Sequence, residues 1–105
     1  MRIDVVRGDL LQRFFKIAVT DRSVIDSVHF SSAKQNIDAI LPYSEELDGY
    51  WLNLSSEQTE QFCACTGKYD LTVVLKNGDC VTVIRNAPFV VWEKVNKIAE
   101  VEDVT

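Results

Sequence analysis

From Gln12 to Thr20 the chain alternates in character. On an extended backbone Phe15, Ile17 and Val19 fall on one side, and Phe14, Lys16 and Ala18 on the other. A two-residue period of this kind marks a strand with one buried face. Asp21-Arg22-Ser23 reads as a polar turn, and Val24 to Phe30 then alternates again with Val28 and Phe30 directed inward. Ile37, Ala39 and Leu41 alternate with Asp38 and Ile40, which predicts a short strand that Pro42 ends or confines to a sheet edge. Tyr43 to Gly49 is a polar, acidic loop. Tyr50 to Leu54 is a strand with Tyr50, Leu52 and Leu54 on one face.

Ser55-Ser56-Glu57-Gln58 has the form of a capping box: the Ser55 hydroxyl accepts from the Gln58 N–H while the Gln58 side chain reaches back. The residues up to Cys65 allow about two helical turns, which Gly67 is expected to end in a left-handed conformation. The plainest local signal runs from Lys68 to Arg85, where two alternating runs flank Asn77-Gly78, a dipeptide suited to a two-residue hairpin turn. Such a turn sets Lys76 opposite Asp79, Leu75 opposite Cys80, Val73 opposite Thr82 and Leu71 opposite Ile84. The second face then carries Val74 with Val81, Thr72 with Val83 and Asp70 with Arg85, and Cys80 enters the core. Pro88 reads as a break before a last strand, Phe89 to Trp92. The pattern predicts an all-β fold, a two-sheet antiparallel β-sandwich of the immunoglobulin-like kind with one short helical turn. It assigns residues 1–95 to the domain and residues 96–105 to an acidic C-terminal tail.

A length of 105 residues gives one domain, and a hydrophobic fraction of 47% with 26% charged residues is ordinary for a globular chain. A net charge of -5 weighs against nucleic acid and against anionic membrane as partners. The odd count of three cysteines (Cys63, Cys65 and Cys80) makes no complete disulfide framework, and they read as reduced thiols. A zinc site would need a fourth ligand, and His29 is the only histidine. No signal peptide is legible, because Arg2, Asp4, Arg7 and Asp9 interrupt the start of the chain. No apolar run approaches the ~20 residues that cross a bilayer.

Candidate chemistry is sparse. Ser27 and His29 share a strand face, but no nucleophile elbow accompanies them, and His29 reads as an exposed strand histidine. Glu45, Glu46 and Asp48 crowd one loop without the spacing of a calcium-binding loop, so they read as a solvated acidic rim suited to a basic partner surface. Arg7-Gly8-Asp9 reads as a turn between the first two strands. Trp51 and Trp92 each neighbour inward-alternating residues, so they face outward or into a second layer. Core packing is the plain reading, and a partner contact for at least one of them is the alternative, since large aromatics anchor interfaces. No catalytic, cofactor-binding or metal-binding residue is assigned. The candidate interface is Trp51, Trp92, Glu45, Glu46 and Asp48.

The order of these features carries a resemblance. A short strand enters Arg7-Gly8-Asp9 and a long alternating strand follows. Then come Val28-His29-Phe30, Tyr50-Trp51-Leu52-Asn53-Leu54 with Ser56-Glu57-Gln58-Thr59, and a closing run through Gly67, Tyr69, Leu71, Val73, Leu75 and Gly78 to one more strand. Over about residues 1 to 95 the chain resembles the small β-sandwich domains of phage and prophage structural proteins, especially the N-terminal domains of baseplate upper proteins. The resemblance implies a non-enzymatic module of a tail, baseplate or other virion part. Its implied partners are other virion or tail proteins or further copies of itself, and it implies synthesis in the bacterial cytoplasm before incorporation into a particle. Leu10 departs from the Thr or Ser such domains carry after the Asp, and this chain has one domain where baseplate upper proteins continue into coiled-coil or receptor-binding regions. The alternative expectation is a carbohydrate- or protein-binding sandwich outside virions, which for sugar would need Tyr50, Trp51 or Trp92 exposed on one concave face. A hydrolase would need a pocket around His29.

Overall fold

A computed structural model describes residues 1–18 and 21–93. The acidic tail assigned to residues 96–105, and Val19 of the first alternating run, lie outside the described residues. The elements are β1 (Ile3–Val6), β2 (Leu11–Phe15), a 3-10 turn (Arg22–Val24), β3 (Ile25–Ser32), β4 (Ile37–Ile40), β5 (Tyr43–Ser44), β6 (Gly49–Leu54), α1 (Ser56–Glu60), β7 (Cys65–Leu75) and β8 (Cys80–Trp92). The chain is mostly β, in two sheets: a five-stranded sheet in the order β1-β8-β7-β3-β4 and a three-stranded sheet in the order β2-β6-β5.

Alternation in the sequence becomes alternation in burial. Along β3, Ile25, Val28, Phe30 and Ser32 are buried while the residues between them are not. Both sheets contribute to one core, with Val28, Phe30, Tyr69, Leu71 and Phe89 from the larger and Leu11, Phe15, Leu52 and Leu54 from the smaller. The Phe30 ring stacks on Tyr69 at 5.0 Å and meets Phe89 edge-on at 5.4 Å. Burial of each such side chain contributes roughly 1.5–3 kcal/mol. The capping box forms as read: the Ser55 Oγ accepts from the Gln58 N–H at 3.2 Å and the Gln58 Oε1 accepts from the Ser55 N–H at 2.8 Å.

Several expectations are corrected. The sheet is not wholly antiparallel, since β1 lies parallel to the end of β8, Ile3 to Val6 against Phe89 to Trp92. The hairpin loop has three residues rather than two. Leu75 pairs with Asp79 through its N–H at 2.8 Å, and its carbonyl accepts from the Gly78 N–H at 2.9 Å. Gly78 takes φ 96°, the left-handed residue that closes a type I turn followed by a bulge. The register therefore slips by one near the tip, with Val74 opposite Cys80, Val73 opposite Val81 and Thr72 opposite Thr82. Cys80 is exposed as a result, not part of the core.

Two register shifts in β8 then restore the inward set, so that Leu71 does face Ile84 and Tyr69 faces Ala87. At the second, Asn86 adopts φ 54° and its N–H donates to the Asp70 carboxylate at 2.8 Å, so Asp70 meets the backbone of Asn86 instead of Arg85. Pro88 does not end the strand. It sits opposite Lys68, just before β1 begins to pair at Phe89, a position beside a bulge where a missing N–H is tolerated. Gly67 does not cap the helix; α1 ends at Glu60 with Gln61 as its cap, and Gly67 lies within β7, its Cα packed beneath the Lys34 side chain. β2 is shorter than the alternation implies, stopping at Phe15, although Ile17 is still buried. The acidic loop also carries a two-residue strand, β5, paired with the start of β6.

Candidate functional site

The parallel pairing of β1 with β8 sets Trp92 opposite Val6 at the edge of the larger sheet. The indole Nε1 donates to Asp4 Oδ1 at 3.3 Å, which holds the ring at the surface, 53% exposed. Leu10, 58% exposed, follows in the connection to β2. Asp4, Val6, Leu10 and Trp92 are among the residues lining a shallow hollow of about 220 Å³. Arg2 chelates the Asp4 carboxylate at 2.9 Å and, with Trp92, keeps its pKa below the ordinary aspartate value.

The Arg7-Gly8-Asp9 turn packs onto α1, while Asp9 also lines the hollow beside Trp92. Arg7 Nη1 donates to Glu93 at 2.7 Å and Nη2 to the Glu60 carbonyl at 3.1 Å, while the Gly8 N–H donates to Thr59 Oγ1 at 3.0 Å. The turn is thus fastened through its arginine and its glycine, and joins the first two strands as its sequence context indicates.

Trp51 and the acidic loop share the hairpin of β5 and β6, whereas Trp92 belongs to the other sheet. Trp51 is half-buried, with its ring 5.0 Å from that of Phe14 across the β2–β6 pair. Phe14 in turn lies over Gly49, where any Cβ would strike the ring and stand 2.7 Å from the Phe15 carbonyl oxygen. Glu45 and Glu46 are exposed as expected. Asp48 is engaged instead: it pairs with Arg22 Nε at 2.8 Å and accepts from the Tyr43 hydroxyl at 2.8 Å. The Arg22 guanidinium lies 5.0 Å from the Tyr43 ring centre and 5.7 Å from that of Tyr50. The hydrogen bond from Tyr43, aided by Arg22, holds the Asp48 carboxyl below its usual range, and the same bond raises the Tyr43 phenol. Arg22, Tyr43 and Tyr50 carry no motif that would have singled them out, because three separate segments supply them.

One constellation goes beyond the sequence reading. Ser27 Oγ lies 3.0 Å from His29 Nε2, and His29 Nδ1 lies 3.2 Å from Asp38 Oδ1. Ser27 and His29 share a face of β3 as anticipated. Asp38 joins them because β4 pairs with β3 and sets it opposite Ser31, a neighbour no local pattern announces. The order Ser-His-Asp matches that of a nucleophilic triad, but such chemistry also needs a cleft and aimed oxyanion donors. Four of the hollows among the described residues are lined by other residues, and none of these four includes Ser27, His29 or Asp38. The row holds the imidazole between the Ser27 hydroxyl and the Asp38 carboxylate, with the His29 side chain only part-exposed.

Among the described residues no three His, Cys, Asp or Glu side chains are grouped to hold a metal ion. No helix among them is long and apolar enough to cross a membrane. No protein-family model matches the chain, and no curated protein matches it closely enough to count as a relative.

Proposed function

We propose that this chain is a non-enzymatic structural or adaptor domain of a phage or prophage particle, docking onto other virion or tail proteins. Its two sheets, which contribute to one core, are read as an immunoglobulin-like sandwich that serves as a rigid body. The observation carrying the docking role is Trp92, more than half exposed beside Leu10 above a shallow hollow. A large aromatic held at the surface by its own hydrogen bond is a ready anchor, since aromatics concentrate binding energy in protein interfaces. Glu45 and Glu46 add an acidic rim on the other sheet for a basic partner. On this reading the protein is made in the bacterial cytoplasm and then enters the particle.

The ordered resemblance to phage sandwich domains supports the virion setting. The sugar-binding alternative has less behind it: Tyr50 is buried, Trp51 is half covered by Phe14, and Trp92 is on a different sheet, so no single aromatic platform forms. The test is to tag the full chain, induce particle production and identify proteins in gradient-purified particles by mass spectrometry. Co-migration with tail or baseplate proteins, reduced by Trp92→Ala, is the expected result. Absence from particles, with no tail or capsid protein bound, would overturn the proposal.

A further inference from the structure

We infer that two copies of this chain pair edge to edge through β8, antiparallel and centred on Thr82. The inference stands apart from the virion role and uses a different surface from Trp92.

β1 covers only Phe89 to Trp92 of the outer side of β8. From Cys80 to Arg85 the strand pairs with β7 alone among the described residues, so its other side has no strand partner among them, and Val83 and Ile84 line a hollow shared with Lys16, Ile17 and Ala18. The segment is Cys-Val-Thr-Val-Ile-Arg. It holds no proline and no lysine, and Val81 and Val83 are 48% and 44% exposed. Proteins usually blunt such edges with charges or prolines, because an open β-branched strand is a template for another strand.

What selects a second copy is the charge pattern. In an antiparallel pair centred on Thr82, Asp79 of each copy faces Arg85 of the other, Val81 faces Val83, and Cys80 faces Ile84. Centring on Val81 or on Val83 leaves both charges without a counterpart, and a parallel in-register pair sets arginine against arginine. Arg85 is available for this contact because the bulge at Asn86 has drawn the Asp70 carboxylate onto the backbone. Among the described residues no carboxylate lies within ion-pair distance of it. The contact uses the same patch on both copies, so it closes as a dimer and does not propagate. The register shift at Val83 keeps the pairable stretch short, so the dimer is expected to dissociate at micromolar concentrations.

The experiment is sedimentation velocity on the full chain across a wide concentration range, with folding checked by circular dichroism. A concentration-dependent dimer is expected, weakened at least about tenfold by Arg85→Asp and by Asp79→Arg, as loss of a charge pair together with the new like-charge contact predicts. The double reversal should bring the dissociation constant back to within about threefold of the parent, since it restores both pairs. Within one chain the two residues stand roughly 20 Å apart along the strand, so direct contact inside the molecule would not produce that rescue. If Asp79→Arg fails to fold, Val81→Lys takes its place with the same expected loss of dimer. A monomer at every concentration, a dimer indifferent to these changes, or a double reversal without recovery would each overturn the inference.

Discussion

The Thr59 hydroxyl, fully buried, donates to the carbonyl oxygen of Asp9 at 2.8 Å. The same oxygen of Thr59 accepts from the Gly8 N–H, so one side chain of α1 satisfies two backbone groups of the turn between β1 and β2. Thr59→Val keeps the shape and deletes the hydroxyl, leaving both groups without their partner in a closed environment. The expected cost is about 1–3 kcal/mol in denaturant unfolding. A variant as stable as the parent would show that the turn does not depend on this helix.

Gly49 is required by contact. A methyl group there collides with the Phe14 ring and crowds the Phe15 carbonyl oxygen, which belongs to the backbone and yields little. Gly49→Ala should destabilise by about 1–3 kcal/mol, the usual range for overpacking. Because Phe14 packs on Trp51, the indole emission of the folded protein should also change. Retention of both stability and spectrum would refute the packing argument.

Asp48 and Tyr43 give the molecule a dependence on pH with a defined sign. The Asp48 carboxyl, held down by the Tyr43 hydroxyl, titrates below 3.8 in the folded protein. Its contribution to stability is thus present above the unfolded value and is lost as pH falls through the lower, folded value. Tyr43, raised above 10.0 by the same bond, contributes below 10.0 and loses that contribution as pH rises through its folded value. Carboxyl NMR titration of the parent should place Asp48 under the ordinary aspartate midpoint. In Asp48→Ala, tyrosinate absorbance should show Tyr43 moving back towards 10.0. An unmoved phenol would mean that the bond does not persist in solution.

Trp92→Ala separates docking from folding. The ring is mostly at the surface, so its removal should change stability by less than about 1 kcal/mol. If the ring anchors a partner, association with the particle should fall at least about tenfold, which corresponds to a loss of roughly 1.4 kcal/mol or more. Equal capture by parent and variant would move the docking site elsewhere on the surface.

The legible parts of this fold are those decided by neighbours in the chain. Ser55 and Gln58 could be matched because a capping box spans four residues, and Val28 and Phe30 could be turned inward because a strand alternates. Asn77-Gly78 marked the hairpin but not its register, since the same dipeptide also fits a three-residue loop with Gly78 left-handed. The shifts near Val83 and Asn86 were hidden for a related reason: a bulge interrupts the period that a reading by alternation takes as continuous. The parallel seat of β1 and the joining of Asp38 to His29 depend on which strands become neighbours, which no local spacing records. Among the candidate interface residues, Glu45 and Glu46 are exposed as read, and Trp92 lies at the surface where core packing is the competing expectation. Asp48 is exposed too, but its ion pair could not be read, because its partner Arg22 comes from a separate turn.

The pairing of β1 with the far end of β8 has a bearing on how the chain reaches its native state. Arg7 and Glu93, ion-paired beside this junction, are 86 residues apart in sequence. Ile3 and Val5 stay uncovered on this side until Phe89 and Val91 arrive, so the seam can close only after almost everything between has been synthesised and has gathered. Contacts of such long sequence separation slow folding. A chain emerging from the ribosome would expose its first strand as a sticky ribbon until the last one reaches it.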